Sequence, residues 1–198
     1  QLVLTELNNP HIFKLFNHTV LDICEGQGYD KQFEELDIVT MEDYINMIEK
    51  KTGALIGSCL SLPASLVGKT DEEINKVKNI GSTIGIAFQI QDDLLEIFSD
   101  EKNMGKSLGS DILYNKKTVI AIEASNSFNS EWNNLINRFD GKNIDDIRNF
   151  LIRNKIKDKI DKLVKEYFSL AFQEMEKIGI RQDSSLYKFI KKIESRYS

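Results

Sequence analysis

At 198 residues, 41% hydrophobic and 29% charged, the chain has the length and apolar content of about one globular domain, which excludes disorder and collagen-like repeats. Only 2 prolines and 11 glycines punctuate a sequence dominated by Lys, Glu, Ile and Leu, so the fold class expected is all-α, over residues 1–198 as a single helical domain. The net charge of −5 divides into −10 over residues 1–140 and +5 over residues 141–198, where lysines interleave with acids and apolar residues as on a solvated helical face; nucleic-acid binding is not favoured.

In chain order, residues 1–7 read as part of a helix already under way, so the chain is expected to be a fragment whose beginning is missing. No basic segment followed by an apolar core suggests a secretion signal. Asn9-Pro10 opens a helix over about 10–25, with Ile12, Leu15, Phe16, Thr19, Val20 and Ile23 at helical spacing, and Gly26-Gln27-Gly28 is expected to interrupt it. Thr40-Met41-Glu42-Asp43 has the form of a capping box and starts a helix that runs through Lys51-Thr52 towards Pro63. Its second half is rich in small residues, among them Gly53, Ala54, Gly57, Ser58 and Ser61, which admit either a neighbouring helix or a ligand. The longest weakly polar stretch, residues 54–68, is about five residues short of a bilayer span.

Gly68 ends that helix, and the acids after Thr70 favour the start of another over about 71–99, which carries a second small stripe, Gly81, Ser82, Gly85 and Ala87. A polar loop over 100–114 and a helix from Lys116 through Ala124 follow, then three or four amphipathic helices to the end. Cys24 and Cys59 lack ligand-like neighbours, and His11 and His18 stand apart; two reduced core thiols in a cytosolic protein are expected.

The chemistry concentrates in the helix over 71–99. Asp92, Asp93 and Glu96 lie amid Ile86, Ile90, Leu94, Leu95 and Ile97, with Gln89 on the same face. Alone, this pattern is a solvated acidic face or a metal site. Burying like charges unpaired is costly, and a hard Mg²⁺ that takes one or two carboxylates together with phosphate oxygens would remove the conflict. The loop that follows supplies Lys102, Gly105-Lys106, Gly109, Asp111 and Asn115-Lys116-Lys117-Thr118, and Lys51-Thr52 lies upstream. Lysines offer compact charge to phosphate, and glycines let backbone N–H groups approach an anion. A metal-bridged diphosphate site and an ordinary polar connection both remain open on these residues.

The run GIAFQIQDDLLEIF at 85–98, with GKSLGSD at 105–111, NKKT at 115–118, Gly26-Gln27 with Asp30, and Lys51-Thr52, resembles the trans-isoprenyl diphosphate synthases, the polyprenyl synthetases. The resemblance covers roughly residues 10–125 and implies an isoprenoid-synthase-like antiparallel helical bundle, incomplete at the N-terminus because no first DDxxD motif stands in residues 1–26. It implies Asp92 as a direct Mg²⁺ ligand, with Asp93 and Glu96 completing the acidic cluster. Lys51 and Lys106 would be the catalytic cations, and Thr52, Phe88, Gln89, Lys116 and Gln27 the substrate-binding positions, with Asp111 an acid acting through its neighbours. Glu96 stands where the family usually has aspartate, and Asn115 where many members have glycine, whose left-handed conformation asparagine tolerates.

The reaction implied is Mg²⁺-assisted ionisation of an allylic diphosphate, capture of the cation by isopentenyl diphosphate, and loss of a proton, in a cytoplasmic homodimer. The small-residue stripes are either walls for the isoprenoid or close helix contacts. A non-catalytic helical partner, or a degenerate relative that binds Mg²⁺-diphosphate without turnover, is the alternative function.

Overall fold

The computed structural model describes residue 6 and residues 9–99, 108–142 and 144–197. Among these, every regular element is helical. The helix expected over 1–7 lies, apart from Glu6, outside the described residues.

Helix α1 (Pro10–Glu34) starts where the Asn9 side chain accepts from the backbone N–H groups of His11 and Ile12, with Pro10 in the first turn where its missing N–H is not needed. It does not stop at Gly26-Gln27-Gly28, as the sequence suggested, but continues to Glu34. Each interior glycine costs about 1 kcal/mol of helix propensity. Gly26 is nevertheless buried against the backbone of Lys50 and Lys51, in space that a Cβ would fill, so tertiary packing overrides propensity there.

Helix α2 (Met41–Ile48) has the capping box in full: Thr40 Oγ1 accepts from Asp43 N, and the Asp43 carboxylate accepts from Thr40 N. The helix passes through a π-helical turn, Glu49–Gly53, into α3 (Ala54–Leu66). The sequence shows one continuous helix there; the π turn inserted at Lys51-Thr52 is invisible to hydrophobic spacing. Gly68, at φ +75°, ends α3, and Thr70 opens α4 (Asp71–Phe98) with a second capping box. After the short α5 (Ser110–Leu113), Asn115 takes the left-handed conformation, φ 53°, that its side chain tolerates. Helix α6 (Val119–Ile136) begins three residues later than Lys116 because Thr118 is its cap, and it extends well past Ala124 across a non-helical Phe128. Helices α7 (Ile144–Arg153), α8 (Ile156–Lys177) and α9 (Ser185–Glu194) and a 3₁₀ turn, Ser195–Tyr197, complete the chain.

Helix α4 runs through the middle, with Ile84, Ile90, Leu94 and Ile97 in a core shared with Tyr44 and Ile48 of α2, Val119 and Ile120 of α6 and Phe168 of α8. The two small-residue stripes meet each other. A Cβ on Gly85 would lie 2.5 Å from the Cα of Gly53, and one on Gly81 would lie 2.6 Å from the Cα of Gly57. The pairing of 53 with 85 and 57 with 81 makes α3 and α4 antiparallel and brings their backbones together. The stripes are helix contacts, not cavity walls. Cys24 and Cys59 are also not in the core; both are free and exposed on outward faces of α1 and α3. Among the described residues no helix is long and apolar enough to cross a membrane.

Two glycines two residues apart in α1 are therefore expected to respond with opposite signs. A Cβ on Gly28 meets nothing within 4 Å, so Gly28→Ala should raise the unfolding free energy by about 0.5–1 kcal/mol. Gly26→Ala should lower it by about 1–3 kcal/mol through overpacking. Urea unfolding of the two variants checks both; equal effects would contradict the packing described.

Candidate functional site

The inner face of α4 is the frame of the site. At 100° per residue, Asp92, Glu96, Gln89 and Asp93 span an arc of about 100°. They share one side of the helix, but Asp93 lies at the edge turned towards α2 and α6 and Asp92 at the edge turned away. The environments differ accordingly. Asp93 and Glu96 are buried, whereas the Asp92 side chain is 51% exposed.

Asp93 is held by three elements. Tyr44 Oη of α2 donates to its Oδ2 at 2.8 Å, Val119 N at the start of α6 donates to the same oxygen at 3.3 Å, and Gln89 Nε2 donates to Oδ1 at 3.0 Å. Thr52 Oγ1, from the π turn, donates to Gln89 Oε1 at 2.9 Å. A relay of hydrogen bonds thus runs from Thr52 through Gln89 and Asp93 to Tyr44. Burial pushes the Asp93 carboxyl up to about 7, against the lowering effect of the Gln89 and Tyr44 hydrogen bonds, and the charge of Asp111 raises it further. The Tyr44 phenol is raised well above its ordinary value, first by burial and then by the Asp93 charge.

Glu96 accepts from Ser110 Oγ at 3.0 Å and from Asp111 N at 3.1 Å, and burial is the leading reason that its carboxyl is raised. It therefore pins the N-terminus of α5. Gly105 and Lys106 lie outside the described residues.

The cations come from two other segments. The π turn carries Lys51, whose Nζ is 2.6 Å from Asp30 Oδ2 of α1; Gln27 Nε2 reaches the same oxygen at 3.4 Å. Lys116 Nζ lies 3.0 Å from Asp111 Oδ1. Burial works against the Lys116 charge, but the hydrogen bond and charge of Asp111, with Asp30 and Asp93 beyond, raise its pKa overall. Lys51 and Lys116 line one small cavity of about 40 Å³, together with Asp30, Asp93, Asp111, Gln89, Lys117 and Tyr44. On the outer edge of α4, Phe88 and Asp92 face Arg196 of the terminal turn.

The structure therefore gathers Lys51, Gln89, Asp93 and Lys116 around one cavity, with Thr52 behind Gln89 and Gln27 behind Lys51. Glu96 is at the α5 junction, and Asp92 and Phe88 are on the adjacent edge. Spacing could not reveal Tyr44 or Arg196, since each reaches the site from a residue that reads as an ordinary amphipathic or terminal position.

A family model described as Polyprenyl synthetase matches residues 1–152. The chain belongs to this family. A geranylgeranyl pyrophosphate synthase of Geoglobus acetivorans is 52% identical over 105 residues, covering 52% of this chain and 32% of that protein. A geranylgeranyl diphosphate synthase of Saccharolobus solfataricus is 34% identical over 175 residues, covering 85% of this polyprenyl synthetase chain and 52% of that protein. A crystal structure of a geranylgeranyl pyrophosphate synthase superposes with TM-score 0.85 at 29% identity, over 95% of this chain and 61% of that one. A solved structure of a geranylgeranyl pyrophosphate synthetase from Geoglobus acetivorans gives TM-score 0.75 at 34% identity, over 94% of this chain and 57% of that one. The chain spans between about a third and a half of the length of these curated relatives.

The raised carboxyl of Asp93 has a definite linkage sign. Its folded pKa of about 7 lies above the ordinary 3.8, so the folded state holds a proton that the unfolded chain releases between these values. Asp93 therefore makes the fold less stable as pH rises from about 4 to about 7, by up to about 4 kcal/mol. Asp93→Asn is expected to flatten that part of the profile, measured by urea unfolding against pH; an unchanged slope would contradict the assignment.

Proposed function

We propose that this chain contributes the second acidic half of a prenyltransferase site, which condenses an allylic diphosphate with isopentenyl diphosphate in isoprenoid biosynthesis. The observation that carries this reading is the convergence of Lys51 and Lys116 on one polar cavity at the Gln89–Asp93 face of α4, in a chain of the polyprenyl synthetase family. Both lysines are held by neighbouring carboxylates at hydrogen-bond distance, which aims them while leaving them able to exchange an acid for a diphosphate oxygen.

The donor chemistry suits Mg²⁺. Among the described residues no three His, Cys, Asp or Glu side chains form a metal cage, and Mg²⁺ does not need one: it takes one or two carboxylates, keeps waters and completes its shell with substrate phosphates. Asp92, a half-exposed carboxylate beside the cavity face, is the residue to hold it. Asp93 and Glu96 support that edge of α4 through the helices they fasten. When bound, Mg²⁺ would stabilise negative charge on the departing diphosphate. In this reading Lys51, Lys116 and Lys106 bind the diphosphate oxygens, Thr52 and Gln89 orient the bound group, and the Phe88 ring shields the site edge from water.

A cytoplasmic homodimer belongs to the same reading. It is supported by Leu21, Leu55 and Leu66, which stand exposed on α1 and α3, and by two free thiols suited to a reducing compartment.

The test is a condensation assay on the chain joined to the sequence encoded upstream of it, with an allylic diphosphate, isopentenyl diphosphate and Mg²⁺. Turnover is expected, with Asp92→Ala and Lys51→Ala each lowering kcat/KM by at least about a hundredfold. Unchanged turnover in either variant would contradict its role, and pyrophosphate binding without turnover in the extended protein would favour the non-catalytic relative instead.

A further inference from the structure

The 3₁₀ turn Ser195–Tyr197 has no part in the site as derived from the family motifs, yet several hydrogen bonds tie it and Glu194 to the acidic helix. Arg196 Nε donates to Gln91 Oε1 at 2.7 Å, and a terminal guanidinium nitrogen donates to Phe88 O at 3.3 Å and to Asp92 Oδ1 at 3.2 Å. The guanidinium carbon stands 4.0 Å from the centre of the Phe88 ring. Gln91 is only 2% exposed, and its amide nitrogen donates to Glu194 O at 2.9 Å. A buried primary amide must find partners for both its ends, and both partners of Gln91 come from residues 194 and 196. The position beside the acidic pair is thus built to receive the C-terminal turn.

We propose that Arg196 is the resident counter-ion of Asp92, latching the C-terminal turn onto α4, and that a divalent cation taken up by Asp92 displaces it. This rests on the reading of Asp92 as the acid that meets the cation. A cation bound to a carboxylate oxygen sits about 2 Å from it, whereas Arg196 already holds one of those oxygens at 3.2 Å. The two positive charges would then be a few ångströms apart in a partly desolvated setting, where their repulsion is substantial. One must leave, and the guanidinium can move because it is carried on a short 3₁₀ turn outside the hydrophobic core. By linkage, metal uptake loosens the turn and the latched turn weakens metal uptake by the same factor.

The experiment measures Mn²⁺ binding in the presence of inorganic pyrophosphate, read from the electron paramagnetic resonance signal of the free ion, for the wild-type chain, Arg196→Gln and Asp92→Asn. Removing one part-exposed ion pair and its cation–π contact should tighten Mn²⁺ binding roughly threefold to tenfold in Arg196→Gln, while Asp92→Asn loses the site. In wild type, amide hydrogen exchange at residues 195–197 should accelerate when Mn²⁺ and pyrophosphate are added. If Asp92→Asn abolishes binding but Arg196→Gln leaves it unchanged or weakens it, the latch is overturned and the metal reading stands. Unchanged exchange at the turn also overturns the latch. If Asp92→Asn leaves Mn²⁺ binding intact, both fall.

Discussion

The site depends on backbone-to-backbone contact among α1, the π turn and α4. Gly26 lies against Lys50 and Lys51, Gly53 against Gly85, and Gly57 against Gly81, each in space that a Cβ would fill. This closeness lets the short side chain of Thr52 reach Gln89 at 2.9 Å and lets Lys51 reach back to Asp30 at 2.6 Å. A displacement of about 1 Å between these segments would break bonds of that length. The π turn carries both residues: Lys51 lines the cavity, and Thr52 next to it reaches Gln89 of α4.

The acids of α4 divide their roles by depth. Asp93 and Glu96 each accept a backbone N–H at the N-terminus of another helix, α6 and α5 respectively, and so fasten the segments that flank the lysine-bearing stretch. Burial resists their ionisation, and the helix N-termini offset part of that penalty. Asp92, one residue away on the outer edge, keeps ordinary solvent access and meets Arg196 instead. Around the cavity, Asp30, Asp93 and Asp111 nearly balance Lys51, Lys116 and Lys117. An incoming anion therefore competes with carboxylates already holding the lysines, which makes a diphosphate that brings its own cation a better fit than a bare phosphate.

Much of the fold was legible because its signals are local. The capping boxes at Thr40 and Thr70, the stop at Gly68 and the 3.6-residue spacing of Ile156, Ile160, Val164 and Phe168 each act within a few residues. The readings that failed depended on tertiary partners. Gly26 looked like a helix breaker because the segment it packs against is 25 residues further on. Cys24 and Cys59 looked like core thiols from residue type alone, yet occupy outward faces. In the candidate site, Lys51, Thr52, Gln89 and Lys116 could be drawn together by motif, but the separation of Asp92 from Asp93 was set by which neighbours each finds across the bundle. Tyr44 and Arg196, 49 and 104 residues from the acids they contact, left no mark in the local pattern.

In the proposed site, lysines from separate segments and the outer acid of α4 meet one diphosphate. A crystal structure of the chain with Mg²⁺ and inorganic pyrophosphate tests it most directly. Pyrophosphate oxygens are expected within hydrogen-bond distance of Lys51 and Lys116 Nζ, with the metal between the anion and Asp92. Pyrophosphate bound away from these lysines, or metal bound with no oxygen of Asp92 in its shell, would contradict it.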